Sequence, residues 1–114
     1  MIETVHIDGA PATVEGLMPA VVSGYGAFTS FQHEPGGVRG LGLHLARLGR
    51  SASELFGHSV PDERVRAFLR TALEGLEGRA TVRVQLFLPA ISVRRPEASG
   101  RPSVLIRVAA PLGA

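Results

Sequence analysis

The chain has 114 residues, 45% of them hydrophobic, with no cysteine and a formal net charge of +2. That length supports one domain around one core, and the composition excludes a disulfide framework, thiolate nucleophiles and cysteine-based zinc sites. The basic residues are all arginines and are dispersed, with Arg94-Arg95 the longest run, which is not the footprint of a nucleic-acid-binding surface. No apolar run approaches the ~20 residues that cross a bilayer. The start, MIETVHIDG, has neither the basic region nor the hydrophobic segment of a signal peptide, so a cytoplasmic protein is expected.

In chain order, Thr4–Ile7 and Ala12–Glu15 are predicted strands around Asp8-Gly9-Ala10-Pro11, and the Asp-Gly pair makes them a hairpin. Gly16–Ser23 fits a short helix or a loop; Pro19 suits a first helical turn but not a helix interior. Ala27–His33 reads as a strand with Phe28 on one face and Phe31 on the other. Glu34-Pro35-Gly36-Gly37 then reverses the chain, and Val38–Gly40 is a short return strand.

An amphipathic helix is predicted from Leu41 to Phe56. Leu41, Leu45, Leu48, Ala52 and Leu55 form its apolar stripe, and His44, Arg47, Ser51 and Glu54 a polar one, with Gly57 as the stop. A second helix is predicted from Asp62 to Leu76. Pro61 opens it, and Val65, Phe68, Leu69, Ala72, Leu73 and Leu76 make its buried face. Ala80–Leu88 alternates as a strand, Pro89–Pro102 reads as a loop, and Ser103–Ala109 as a final strand. These elements predict an α+β fold, a mostly antiparallel sheet with two main amphipathic helices packed on it. One domain is expected over 1–110, with 111–114 as the start of a linker.

Chemistry concentrates between Gly24 and Gly57. Gly24-Tyr25-Gly26 leads through Phe28 into the strand, the Pro-Gly-Gly turn follows, and the helix carries His44-Leu45-Ala46-Arg47-Leu48. A planar guanidinium on this helix suits phosphate oxygens; on pattern alone it is a solvent-face arginine. His6, His33 and His58 show no metal-ligand spacing, and no metal site is expected. Ser23, Ser30 and Ser51 have no histidine–acid partners in the pattern of a hydrolase triad. Arg83 reads as an exposed strand position, with a substrate carboxylate as the alternative.

The order of parts resembles the N-terminal half of the class IV aminotransferases, the pyridoxal-phosphate (PLP) enzymes of fold type IV. These include branched-chain and D-amino-acid transaminases and aminodeoxychorismate lyase. The resemblance covers nearly the whole chain. It implies the small, cofactor-covering domain of such an enzyme, with Arg47 on the phosphate of PLP. It also implies that Tyr25, Phe28 and His44 line the pocket. Beside that, Phe28 reads equally as core packing, and His44 as a surface histidine.

Thr29 and Gln32 stand where many members have glutamate and arginine, and Leu88-Pro89 where an acid often precedes proline. These departures bear on substrate preference. The chain has no lysine to bond the cofactor covalently, so no catalytic residue is expected in it. The resemblance instead implies a C-terminal PLP-binding domain, or a separate chain, that supplies the lysine. It further implies a homodimer acting on an amino acid and a 2-oxo acid. The alternatives are a non-catalytic binding or regulatory module derived from that domain, and part of a lyase.

Overall fold

The computed structural model describes residues 3–23, 26–89 and 101–111. Strand β1 (Thr4–Ile7) and the two-residue β2 (Ala10–Pro11) form the hairpin, with Ile7 opposite Ala10. Asp8 and Gly9 both take positive φ, 50° and 82°, the backbone twist that a two-residue hairpin loop requires. Asp8 also ties the turn to the last strand. Its amide donates to the Val104 carbonyl at 2.9 Å, and its carboxylate accepts the Val104 amide at 2.8 Å.

The tight turn places the second strand earlier than Ala12–Glu15. Thr13 explains the difference, because its Oγ1 accepts the Gly16 amide at 3.0 Å and caps a helix. That helix, α1 (Val14–Ser23), settles the ambiguity of Gly16–Ser23 and holds Pro19 in its interior. Proline has no N–H to give the Glu15 carbonyl, so α1 forms against its local preference. Packing compensates: Leu17 and Ala20 lie against Phe87, Leu105, Val5 and Ile7.

Strand β3 (Gly26–His33) ends in the predicted reversal, where the amides and carbonyls of Glu34 and Gly37 exchange hydrogen bonds of 3.1 and 2.8 Å. Pairing stops there. Val38–Gly40 is not a strand; Gly40, at φ 70°, is already the N-cap of α2 (Leu41–Phe56). Gly57, at φ 75°, closes α2 by donating its amide to the Ser53 carbonyl. The buried stripe is Leu45, Leu48, Ala52 and Phe56, whereas Leu55 is 39% exposed.

Helix α3 (Asp62–Ala72) stops short of Leu76, because Leu73–Gly75 form a turn with Gly75 at φ 75°. Val65 and Leu69 are its buried residues. Strands β4 (Ala80–Phe87) and β5 (Ser103–Ala109) complete an antiparallel sheet in the order β2-β1-β5-β4-β3. Leu88 follows β4 and is buried. Most of the linker expected at 111–114 and most of the loop over Pro89–Pro102 lie outside the described residues.

The sheet separates two apolar layers. On one face α2 and α3 pack over Ala27, Phe31, Val82, Val84, Leu86, Val104, Ile106 and Val108. On the other, α1 covers only the end formed by Phe87 and Leu105. Each fully buried leucine or phenylalanine stabilises the fold by roughly 1.5–3 kcal/mol. The main core therefore lies under α2 and fixes that helix over β3, the edge strand.

Candidate functional site

Along β3, alternate residues point to opposite faces. Ala27, Thr29 and Phe31 face α2, and Thr29 is the one polar residue among the described buried residues, at 3% exposure. Helix α2 sets its polar stripe beside this strand. There His44 Nδ1 lies 2.9 Å from Thr29 Oγ1, and Arg47 Nη2 lies 3.3 Å from the same oxygen. Arg47 Nη2 is also 3.4 Å from His44 Nδ1.

A guanidinium only donates, so Thr29 Oγ1 accepts from Arg47. Between Thr29 Oγ1 and His44 Nδ1 the tautomer of the imidazole sets which atom donates. The Phe31 ring supports the imidazole from behind, with centroids 5.4 Å apart at 52°. His44 is therefore a half-buried member of a hydrogen-bonded cluster, not a simple surface histidine.

Arg47 itself is exposed. The two ion pairs between described residues, Glu34–Arg79 and Glu3–Arg107, lie elsewhere. Hence its guanidinium is anchored by Thr29 and His44, and its charge is not matched by a carboxylate among the described residues. Such a group accepts an anion without first breaking a salt bridge.

Phe28 faces the other side of β3 and is 57% exposed, so it is not core packing. Arg83 of β4 lies over its ring, 3.9 Å from the centroid, as a cation–π contact. Tyr25 lies outside the described residues. Gln32 is engaged across the sheet with Thr81, at 3.0 and 3.3 Å, which satisfies its amide without a ligand. Gly26 is needed for a close approach: a Cβ there would sit 2.9 Å from the Leu86 carbonyl oxygen. The glycine thus lets β3 begin tight against β4.

Sequence reading noted Thr29 only as a departure from the family pattern, not as a partner of Arg47. Its signal was a lone hydroxyl at an inward-facing strand position, between Ala27 and Phe31. Among the described residues, no helix is long and apolar enough to cross a membrane.

No protein-family model matches the sequence, and no curated protein matches it. Solved structures do. The chain is similar to a branched-chain aminotransferase from Thermoproteus uzoniensis, at 26% identity and a TM-score of 0.63, over 94% of this chain and 40% of the other. It is similar to a fold IV transaminase from Curtobacterium pusillum, at 23% identity and a TM-score of 0.60, over 96% and 43%. A PLP-bound hypothetical aminotransferase from Mycobacterium tuberculosis matches at 22% identity and 0.61, over 97% and 41%.

The chain has the fold of the small N-terminal domain of these transaminases. It spans about 40% of the length of the solved structures that it matches. The α+β architecture and the family resemblance of the Gly24–Gly57 segment therefore agree with an independent comparison of shapes.

Proposed function

We propose that the chain is the phosphate-gripping small domain of a PLP-dependent class IV aminotransferase. In this reading the domain spans 1–110 and residues 111–114 lead towards the remainder of the protein. The observation that carries it is Arg47: an exposed guanidinium, tied to Thr29 and His44 on a helix fixed by the core, in a transaminase-type fold.

A phosphate dianion fits this arrangement. It needs charge and several N–H donors in a fixed fork, and Arg47 supplies both. PLP, when bound, supplies a carbonyl carbon for the amino group and an electron sink for loss of the Cα proton. This chain's own residues grip and orient. Arg47 holds the phosphate, and Thr29 and His44 hold Arg47; Tyr25 and Phe28 are assigned to the pocket wall by the resemblance, and Phe28 reaches it from the face of β3 opposite Arg47. None of them is positioned to bond the cofactor covalently, since the chain contains no lysine. The lysine comes from a C-terminal domain or a companion chain. The complete protein, a homodimer in the cytoplasm, moves an amino group between an amino acid and a 2-oxo acid.

A second observation favours such a partner over a self-sufficient binding module. Helix α1 turns Val14, Met18 and Val21 outward at helical spacing, with Val14 77% and Val21 71% exposed. They lie on the same side of the sheet as exposed Phe28. An apolar stripe on a half-covered face indicates an interaction surface.

The experiment is recovery of the chain from its own cells after borohydride treatment, followed by denatured masses of everything recovered. The expected result is a longer form, or a companion chain, with a phosphopyridoxyl group on a lysine. Recovery of the 12.0 kDa chain alone and without cofactor would refute the reading. Arg47→Ala is expected to weaken PLP retention by the complete protein at least tenfold, an estimate of roughly 1.4 kcal/mol for a charge-assisted contact.

A further inference from the structure

Behind the Phe31 ring, away from Arg47, a groove of about 430 Å³ opens between β3, the start of α2 and the outer side of α3. Its walls are Phe31, Val38, Leu41, Leu69 and Leu73, and Arg66 and Arg70 stand beside them. The sequence explains the opening. Gly36 and Gly37 add no side chains to the turn, and no atom lies within 4 Å of where a Cβ at Gly37 would stand. On the opposite side, α3 ends at Ala72 and turns away at Leu73.

Three polar features of this groove are not used by the fold. Arg66 and Arg70 are one helical turn apart on α3, and neither forms an ion pair among the described residues, although Asp62 and Glu74 are each four positions away in sequence. His33 shares the inward-facing side of β3 with Phe31. Its Nδ1 is buried and has no hydrogen-bond partner among the described residues.

We infer that this groove binds a small organic carboxylate with an apolar body, as a site separate from the Arg47 cluster. Apolar walls take the body, as in other small-molecule clefts where a few polar groups set orientation. The two guanidiniums take the carboxylate, and charge complementarity decides against a neutral guest. A purely apolar ligand would leave both arginines unmatched. A small inorganic anion would leave the apolar walls empty. The inference does not depend on PLP, because neither Arg47 nor Thr29 lines the groove. Only Phe31 is common to both sites, through its contact with His44.

The test is amide-resolved NMR of the 114-residue chain, titrated with hydrocinnamate and, separately, with hydrocinnamyl alcohol. The expected result is that hydrocinnamate shifts Val38, Leu41, Leu69 and Leu73 together and binds about fivefold more tightly than the alcohol. The double variant Arg66→Gln/Arg70→Gln, checked for an unchanged spectrum elsewhere, is expected to remove that difference. Equal binding of acid and alcohol would overturn the inference, as would shifts centred on α1 or no shifts at millimolar ligand. If the double variant is unfolded, the single variant Arg70→Gln, at an exposed position, provides the second reading and is expected to weaken hydrocinnamate about threefold. An unchanged affinity in that variant would count against the site.

Discussion

Replacing Thr29 by valine keeps the shape of a buried side chain and deletes one oxygen. That oxygen accepts from Arg47 at 3.3 Å and faces His44 Nδ1 at 2.9 Å. The Arg47 bond is partly exposed and contributes little to stability, since water replaces it. The His44 bond lies half-buried and is worth about 1 kcal/mol. Thr29→Val is therefore expected to destabilise the domain by about 1 kcal/mol, or to lower its melting temperature by about 4 °C. The larger effect falls on Arg47. Without the Thr29 acceptor its side chain must be ordered when an anion binds, which costs about 1 kcal/mol and weakens phosphate or PLP binding roughly fivefold.

Thr29→Ser separates the two effects. It loses a buried methyl group, worth about 0.8 kcal/mol, but keeps the hydroxyl. Stability then falls by a similar amount in both variants, while anion affinity falls only in the valine one. Urea denaturation gives the first quantity. Calorimetric titration with PLP gives the second, with Arg47→Ala as the reference for complete loss. If affinity simply follows stability across the three variants, Thr29 does not position Arg47 and the reasoning fails.

Gly26→Ala would place a Cβ 2.9 Å from the Leu86 carbonyl oxygen, a contact with backbone that cannot rotate away. A stability loss of about 1–3 kcal/mol is expected in urea denaturation, and no loss would mean that β3 can pull back from β4 freely. Glu3 is held below its ordinary value of 4.5, first by its hydrogen bond to Arg107, with burial opposing and the charge of Arg107 adding to the effect. Its contribution to stability is therefore present above that ordinary value and lost as the pH falls through the lowered one. In Arg107→Gln the Glu3 carboxyl is expected to titrate at its ordinary position by NMR, and an unmoved titration would remove Arg107 as the cause.

Helix α2 was legible because two local signals agree, an apolar stripe and a glycine after Phe56, whereas Gly40, read as part of a return strand, is its N-cap. The exchange of Leu55 for Phe56 shows the limit of the stripe. After Ala52 a helical period of 3.6 leads almost equally to either residue, and only packing against the sheet decides. Helix α1 could not be read locally, because Pro19 argues against a helix while Leu17 and Ala20 become buried by residues up to 88 positions away, such as Leu105. Within the site, Arg47 was visible from a short pattern. Thr29 was not, because its partners are 15 and 18 residues away and meet it only when α2 lies over β3.

The two faces of β3 have different chemistry, and the difference follows from alternation along a single strand. Thr29 looks towards α2, where the fold completes its own hydrogen bonds and leaves Arg47 one open set of donors. Phe28 looks the other way, where α1 covers one end of the sheet and the rest carries an exposed ring under Arg83. As the outer strand of the sheet, β3 also presents a free edge between these faces. A domain that needed no partner would gain by covering Phe28 and by turning charged residues outward along α1. This chain instead keeps Val14, Met18 and Val21 outward, which lowers its solubility without adding to its own core. The exposed layer makes physical sense as one side of an interface, whereas the Arg47 cluster is complete within the chain. On the function proposed above, the division of labour is between a phosphate grip that this domain preorganises and a reacting group that its partner supplies.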